Sequence, residues 1–484
     1  TGDDQLFISS GTGNVDWITG TSAGAVNLPN SILTINGSVG SDGQVLTSTG
    51  SAVAWEDAGG GGASTIGALT DVLMDATNFT DSILIQTNSD GSAPTTGTLS
   101  SANYNVGIGS DVFKSITNGT QDIAIGQYSQ EKITSGDYNT TIGGQTLKEA
   151  ETVTNNAALG YAALRNTVSN SNVAIGYMAH QGANTSGGFN VAIGASAMYG
   201  VSSHAKWNVA IGNEALENIT TGDYNIAIGY KAGEALTTAD GSILLGNSAG
   251  KNITDGASRT IAIGYESNYT STGDWNNIGI GYRTLYLADG GRDNIAIGAS
   301  AGDSVTTGDY NTLMGTSAGA AISTGSRNIA IGYLAGDGFD TESDNIAIGY
   351  DALGGAVAGG EKNLAIGNYS LDALTSGGDN VAIGHQAGSA LSSGEDNVLI
   401  GSQAGQVLTG SDSVMIGDWA GKAQTAGGGV YIGSLAAYNS NSTWGNNVVI
   451  GSQAGMQIHG TGNQYIGYNA AGSSTHASAH YNTG

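Results

Sequence analysis

A phrase of the form Asn-Ile-Ala-Ile-Gly recurs from about residue 105 to residue 467, and its spacing constrains the fold more than any other feature of the chain. Its glycines begin at Gly109, Gly126 and Gly143, pass through Gly229, Gly298 and Gly349, and end at Gly451 and Gly467. There are 22 copies, and every interval is 16, 17 or 18 residues. Such regular spacing leaves no room for an inserted domain. It predicts an elongated stack of equivalent coils.

The residue before each glycine is aliphatic, as in Ile228, Ile297 and Ile348, with Leu159, Leu245 and Met314 as variants. The residue three before it is usually Ile or Val, as in Ile226, Ile295 and Ile346. Two residues apart on a strand, these positions share one face, and the small residue between them (Ala124, Ala192, Ala296, Ala382) points to the other. A helix would need apolar residues at three- and four-residue spacing and few glycines, and the repeats give neither. Ala, Ser or Thr stands three after the glycine in all but the first copy. We read each coil as two short strands and two tight turns, with the glycines at positive φ or at close approaches.

An isolated coil cannot hold, because ordering about 17 backbones costs ~1–2 kcal/mol each. Stacked coils hydrogen-bond to their neighbours, and like side chains form ladders. The asparagine four before the glycine (Asn225, Asn294, Asn345) suits such a ladder, each amide bonding the next. At a rise of ~4.8 Å per strand, the array is a rod about 105 Å long. The structural ladder is therefore carried by sets such as Asn225, Ile226, Ile228 and Gly229; Asn294, Ile295, Ile297 and Gly298; and Asn345, Ile346, Ile348 and Gly349. The small residues have two readings. They form a flat outer face that lets neighbouring chains approach, or they fill a cramped interior.

Composition closes off other classes. Glycine is 81 of 484 residues, with 2 Pro and no Gly-X-Y register, which excludes a collagen triple helix. At 39% hydrophobic the chain carries enough aliphatic side chains for a core, so disorder is a poor fit. There is no Cys, hence no disulfide, Cys-ligated zinc or thiol chemistry. Thirteen Lys+Arg against forty Asp+Glu give a net charge of −27, which repels nucleic acid and anionic membranes. No apolar run reaches the length of a membrane span.

Residues 1–57 read as a β-rich shaft segment. Phe7 to Trp17 (FISSGTGNVDW) echoes Val45 to Trp55 (VLTSTGSAVAW) at an offset of 38, each a strand, a Gly/Ser turn and a strand ending in tryptophan. Residues 58–63 are a Gly-rich joint. Residues 64–100 are a β connector, 101–468 the solenoid array and 469–484 a C-terminal tail.

The phrase Asn-x-Ala-Ile-Gly-x-x-Ala, as at Asn294 to Ala301, resembles the head repeats of trimeric autotransporter adhesins, which form trimeric parallel β-rolls. The fuller unit from Asn225 to Gly233, followed by Leu236, is more similar to repeats in bacteriophage tail fibres, and Gly43 to Trp55 is similar to their shaft segments. The period of 17 is longer than that of adhesin heads, and no heptad stalk or anchor strand set accompanies it. The resemblance implies an all-β, elongated parallel β-solenoid, intertwined or side by side as a homotrimer. It implies a structural, receptor-binding fibre on the outside of a virion, bound to virion or tail proteins at its N-terminal side and to a bacterial surface glycan or protein beyond. The alternative is a bacterial trimeric surface adhesin. A left-handed β-helix acyltransferase would need aliphatics at six-residue intervals, which this repeat lacks.

No catalytic constellation stands out, and the chain reads as a non-enzyme without a cofactor. His180, His204, His385, His459, His476 and His480 form no metal-binding motif, and the pair His476 and His480 reads as part of a loose tail. Asp223, Asp274, Asp309, Asp379 and Asp396 read as solvated turn acids in preference to Ca²⁺ ligands, since the calcium β-roll nonapeptide is absent. Tyrosine often follows the motif glycine (Tyr161, Tyr177, Tyr230, Tyr265, Tyr282, Tyr333, Tyr350, Tyr468) and reads as coil-edge cover. Trp419, Tyr438, Trp444 and Tyr481 lie outside that register and are the candidate receptor-binding residues.

Overall fold

The computed structural model describes the strands within residues 6–57 and then residues 72–86 and 95–471, except 183–186, 202–203, 255–257, 272, 274, 357, 441–444 and 459. Every regular element among these residues is a β-strand. The chain divides into two compact units, Thr1–Met74 and Asp75–Gly484.

In the first unit, Leu6–Ser9 pairs antiparallel with Val15–Gly20, placing Phe7 opposite Trp17. Gln44–Ser48 pairs the same way with Val53–Asp57, placing Leu46 opposite Trp55. Both tryptophan-bearing segments are therefore hairpins. The joint at 58–63 lies outside the described residues.

The second unit is a parallel β-solenoid. Phe79–Ile85 forms the first rung, paired in parallel with Val106–Ile108, so the stack begins ahead of residue 101. From there each motif copy contributes one three-residue strand, through to Gln464–Ile466, always in the same register. Ile226 lies over Ile243, Ala227 over Leu244 and Ile228 over Leu245. The rungs are joined by bonds such as Ile226 N–H to the Ser242 carbonyl at 2.8 Å and Gly229 N–H to the Ile211 carbonyl at 2.8 Å.

A coil has one strand where the sequence suggested two. After the glycine the chain curls instead of extending, because the residues two and four further on enter the left-handed region, as Lys231 (φ 56°) and Leu216 (φ 48°) do. Among the described residues, a second ladder forms only where Asn252–Ile253 pairs with Thr270–Ser271. The motif glycine itself is obligatory. Gly229 has φ 143°, and a Cβ there would sit 2.2 Å from the carbonyl oxygen of Gly246 in the next coil.

The small residues fill the interior. Ala124, Ala192, Ala227 and Ala296 are fully buried, together with Ala232, Leu236 and Ala239 from the turn that closes the coil. The aliphatics on either side of each central residue face outward instead, and Ile226 and Ile228 are 37% and 40% exposed. A 17-residue coil encloses too narrow a section for two branched side chains from every rung. Alanine therefore goes inside and isoleucine outside.

Interior volume is exchanged between two positions. Where the central strand residue grows to Leu244, the residues four after the flanking glycines shrink to Gly233 and Gly250, whose Cβ atoms would lie 2.7 and 3.2 Å from Leu244 Cδ1. Leu313 with Gly302 and Gly319, and Leu399 with Gly388 and Gly405, repeat the pattern. Where the central residue is Ala210 or Ala365, the other position carries Leu216 or Leu371, both fully buried. Dense packing demands such a trade.

The asparagine column forms as the sequence suggests. Asn225 N–H and Nδ2 donate to Asn208 Oδ1 at 2.9 and 3.1 Å, and Nδ2 also donates to the Ala239 carbonyl at 2.8 Å. Asn294 and Asn345 continue it, accepting from Asn311 N–H and Asn363 N–H at 2.9 Å each. Asn225, Asn294 and Asn345 are fully buried. Each amide thus satisfies groups that would cost about 1–3 kcal/mol if buried unpaired.

Candidate binding surface

Two of the four candidate residues meet. Trp419 and Tyr438 stand on successive coils with ring centroids 5.3 Å apart and planes within 20° of parallel. Lys422 Nζ lies 4.6 Å from the Trp419 centroid and 5.8 Å from that of Tyr438. Trp419 is held in the left-handed region (φ 60°) and its N–H donates to the Ser402 carbonyl at 2.9 Å, so the ladder fixes where the ring projects. Both rings are half-buried, and the cluster offers ring edges and a cation to a hydroxyl-rich ligand. Trp444 and Tyr481 lie outside the described residues.

Sequence reasoning missed a longer aromatic stack. Phe189, Trp207 and Tyr224 immediately precede ladder asparagines and stack at 6.1 and 4.8 Å, with 57%, 43% and 59% exposure. The signal was available, since all three sit five before a motif glycine. Tyrosines after the glycine stack where they are consecutive, as Tyr161 with Tyr177, Tyr265 with Tyr282 and Tyr333 with Tyr350. Tyr230 is 47% exposed and Tyr468 77%.

Two of the acidic turn residues serve the backbone, and Asp379 and Asp396 are exposed. Asp223 Oδ1 accepts the Lys206 N–H at 2.7 Å and Asp309 Oδ1 the Arg292 N–H at 2.8 Å, each reaching one coil back. Asp379 and Asp396 occupy left-handed positions just before ladder asparagines, and Asp274 lies outside the described residues. Among the described residues, one carboxylate cluster, Glu214, Glu217 and Glu234, has oxygens close enough to share an ion, but Lys231 Nζ stands 2.8 Å from Glu214 and 2.9 Å from Glu234. That ammonium already supplies the positive charge, and its hydrogen bonds to Glu214 and Glu234 hold it above the ordinary lysine range.

His180 and Asp122 are titratable groups that lie inside the coils. His180 is fully buried, and desolvation pushes it down to about 4, so it is neutral at pH 7. Its Nδ1 lies 3.2 Å from Thr167 Oγ1. Asp122 takes a place in the asparagine column. Its Oδ1 accepts from Asn139 N–H at 2.7 Å and Asn139 Nδ2 at 3.0 Å, as an asparagine oxygen would. Its Oδ2 is buried without a partner. That oxygen stands where the column puts an amide nitrogen, because it is 3.2 Å from the Cβ position of Gly119, and Asn225 Nδ2 is 3.1 Å from the equivalent position of Gly222. Asparagine donates there to a carbonyl, whereas a carboxylate cannot. Burial, opposed by the bonds from Asn139 and reinforced by the charge of Asp137, pushes Asp122 up to about 7.

The fold defines a parallel β-solenoid repeat protein. Compared with protein-family models, curated proteins and solved structures, the chain matches none.

Proposed function

We propose that this chain is a structural, receptor-binding fibre protein, the attachment rod of a bacteriophage tail fibre, assembled as a homotrimer and working outside the cell on a virion. The observation that supports it most is the unbroken ladder from Phe79–Ile85 to Gln464–Ile466, which makes a stiff spacer rather than an enclosed site. A net charge of −27 per chain, tripled in a trimer, suits a fibre that must not aggregate. The Trp419, Tyr438 and Lys422 cluster fits a surface glycan, and three copies on one rod multiply a weak affinity. Chemistry on a substrate is not part of this reading.

An antibody raised against the array and applied to phage particles and to uninfected bacteria of the same culture tests it. Label on tail-associated fibres is expected. Label on uninfected cell surfaces would favour the bacterial adhesin instead, and hydrolysis of envelope polysaccharide by the purified chain would defeat the non-enzymatic reading. Trp419→Ala with Tyr438→Ala is expected to reduce binding to bacteria at least tenfold, while leaving the circular dichroism of the array unchanged.

A further inference from the structure

The outward aliphatics form two continuous columns. The residue before the motif glycine is Ile, Leu or Met in all 22 coils, and the residue three before it is Val, Ile or Leu in all but Thr140, Ala157, Thr312 and Gln464. None of these 44 positions carries a charge. The side chains are covered above and below by the adjacent rungs yet remain open outward, as at Ile123 (37%), Ile142 (42%) and Leu159 (47%). Three residues wide and 22 rungs long, the face measures roughly 10 by 105 Å. Its area, about 1,000 Å², exceeds the ~800 Å² per partner of a standard stable interface and the few hundred Å² a monomer ordinarily leaves bare.

We infer that this aliphatic face is the surface on which copies of the chain meet, lying parallel and in register along the whole array. The inference rests on the trimeric reading above and names its interface, which is the outer Ile/Val face and not the alanine face. Its extent identifies the occupant. A partner that covers every rung must itself be about 105 Å long and present side chains at the same ~4.8 Å rise, and a second copy does both. A vesicle surface is disfavoured by the net charge of −27.

The interruptions set the alignment. In a parallel, in-register assembly Thr140 and Ala157 meet their own counterparts, and so does Thr312, so that small and polar groups share layers. An antiparallel arrangement would press Thr140 against rungs near Val430–Ile432, burying a hydroxyl against aliphatics.

Light scattering on the full chain should give three times 48.2 kDa. Ile228→Glu, Ile297→Glu and Ile348→Glu, combined in one chain, put charge on the face without touching the interior. They should reduce the mass to one chain while preserving the β circular dichroism signal, whereas Thr221→Glu on an exposed turn should leave the assembly intact. Because the chain has no cysteine, Ile108→Cys reports alignment even if the glutamate variant fails to fold. Parallel chains in register cross-link through this one position on oxidation. Antiparallel chains do so only when Ile108→Cys is mixed with Ile466→Cys.

A native mass of one chain overturns the inference together with the trimer, as does a monomer that co-sediments with neutral lipid vesicles, which would give the face to a membrane. A trimer that survives the glutamate substitutions overturns the interface alone. A dimer overturns the three-fold count, and cross-linking only in the mixed sample overturns the parallel alignment. A trimer that fails to bind bacteria bears only on the attachment role.

Discussion

The coils around Asn225 and those around Asp122 share one backbone and differ in what they enclose. From Ala210 to Leu244 the interior beside the asparagine column is apolar, with Ala210, Ala215, Leu216, Ile219, Ala227, Ala232, Leu236 and Leu244 fully buried. From Ser129 to Thr146 it holds Ser129, Gln130, Thr141 and Thr146. Ser129 Oγ is 2.7 Å from Thr141 Oγ1 and 2.8 Å from Thr146 Oγ1, and Gln130 Nε2 donates to Thr141 Oγ1 at 3.1 Å. Backbone stacking thus sets the coil, while the interior needs only to fit and to be hydrogen-bonded. Asp122 Oδ2 and Gln130 Oε1 are atoms at which the second region fails that condition.

The sharpest way to break the comparison is to attack what the two regions share. Gly229→Ala and Gly143→Ala each place a Cβ against the next coil's glycine carbonyl, at 2.2 and 2.4 Å. Each should cost on the order of 4 kcal/mol or more, read as loss of hydrogen-exchange protection in the mutated coil and its neighbours. Equal protection in mutant and wild type would show that stacking does not set the coil.

The next effect separates the regions. Between the ordinary aspartate value near 3.8 and the folded value of about 7, Asp122 holds a proton in the folded state that it has lost in the unfolded state. Stability should therefore fall as pH rises through that window and level off above it. Asp122→Asn should remove this contribution to the slope and raise stability at pH 8 by roughly 4 kcal/mol. Denaturation of the two proteins at pH 4 and pH 8 measures this, and parallel pH curves would refute the protonated column. A smaller effect is expected in the apolar region, where Asn225→Ala orphans the Ala239 carbonyl and the Ser242 N–H. The cost should be about 2 kcal/mol, largely independent of pH. Urea melts over the same pH range would expose any slope.

Much of this was legible because it recurs at the period of the coil. The glycine column, the asparagine column and the parallel stack all follow from one phrase repeated at fixed intervals. Which face points inward did not follow, since alternation fixes that Ile226 and Ala227 oppose each other but not which of them is inside. The width of the coil decides that. The exchange of Leu244 against Gly233 and Gly250 was present in the sequence, but it links positions six to eleven residues apart on different coils, and single-column reading does not see it. The candidate pair Trp419 and Tyr438 was found as an exception to the tyrosine register. Its stacking depends on the curl that places the second residue after one glycine beside the fifth after the next.

Because the bonds between coils run along the stack, tension applied to its two ends acts on every bond of a coil boundary at once, and none yields until several do. A boundary that does yield would unreel about 17 residues, roughly 55 Å of slack where ~4.8 Å was spanned before. A protein built this way should behave as a stiff tether at low force and a shock absorber at high force, lengthening in discrete steps instead of snapping. Single-molecule pulling would show steps of that size, and one continuous stretch would contradict them.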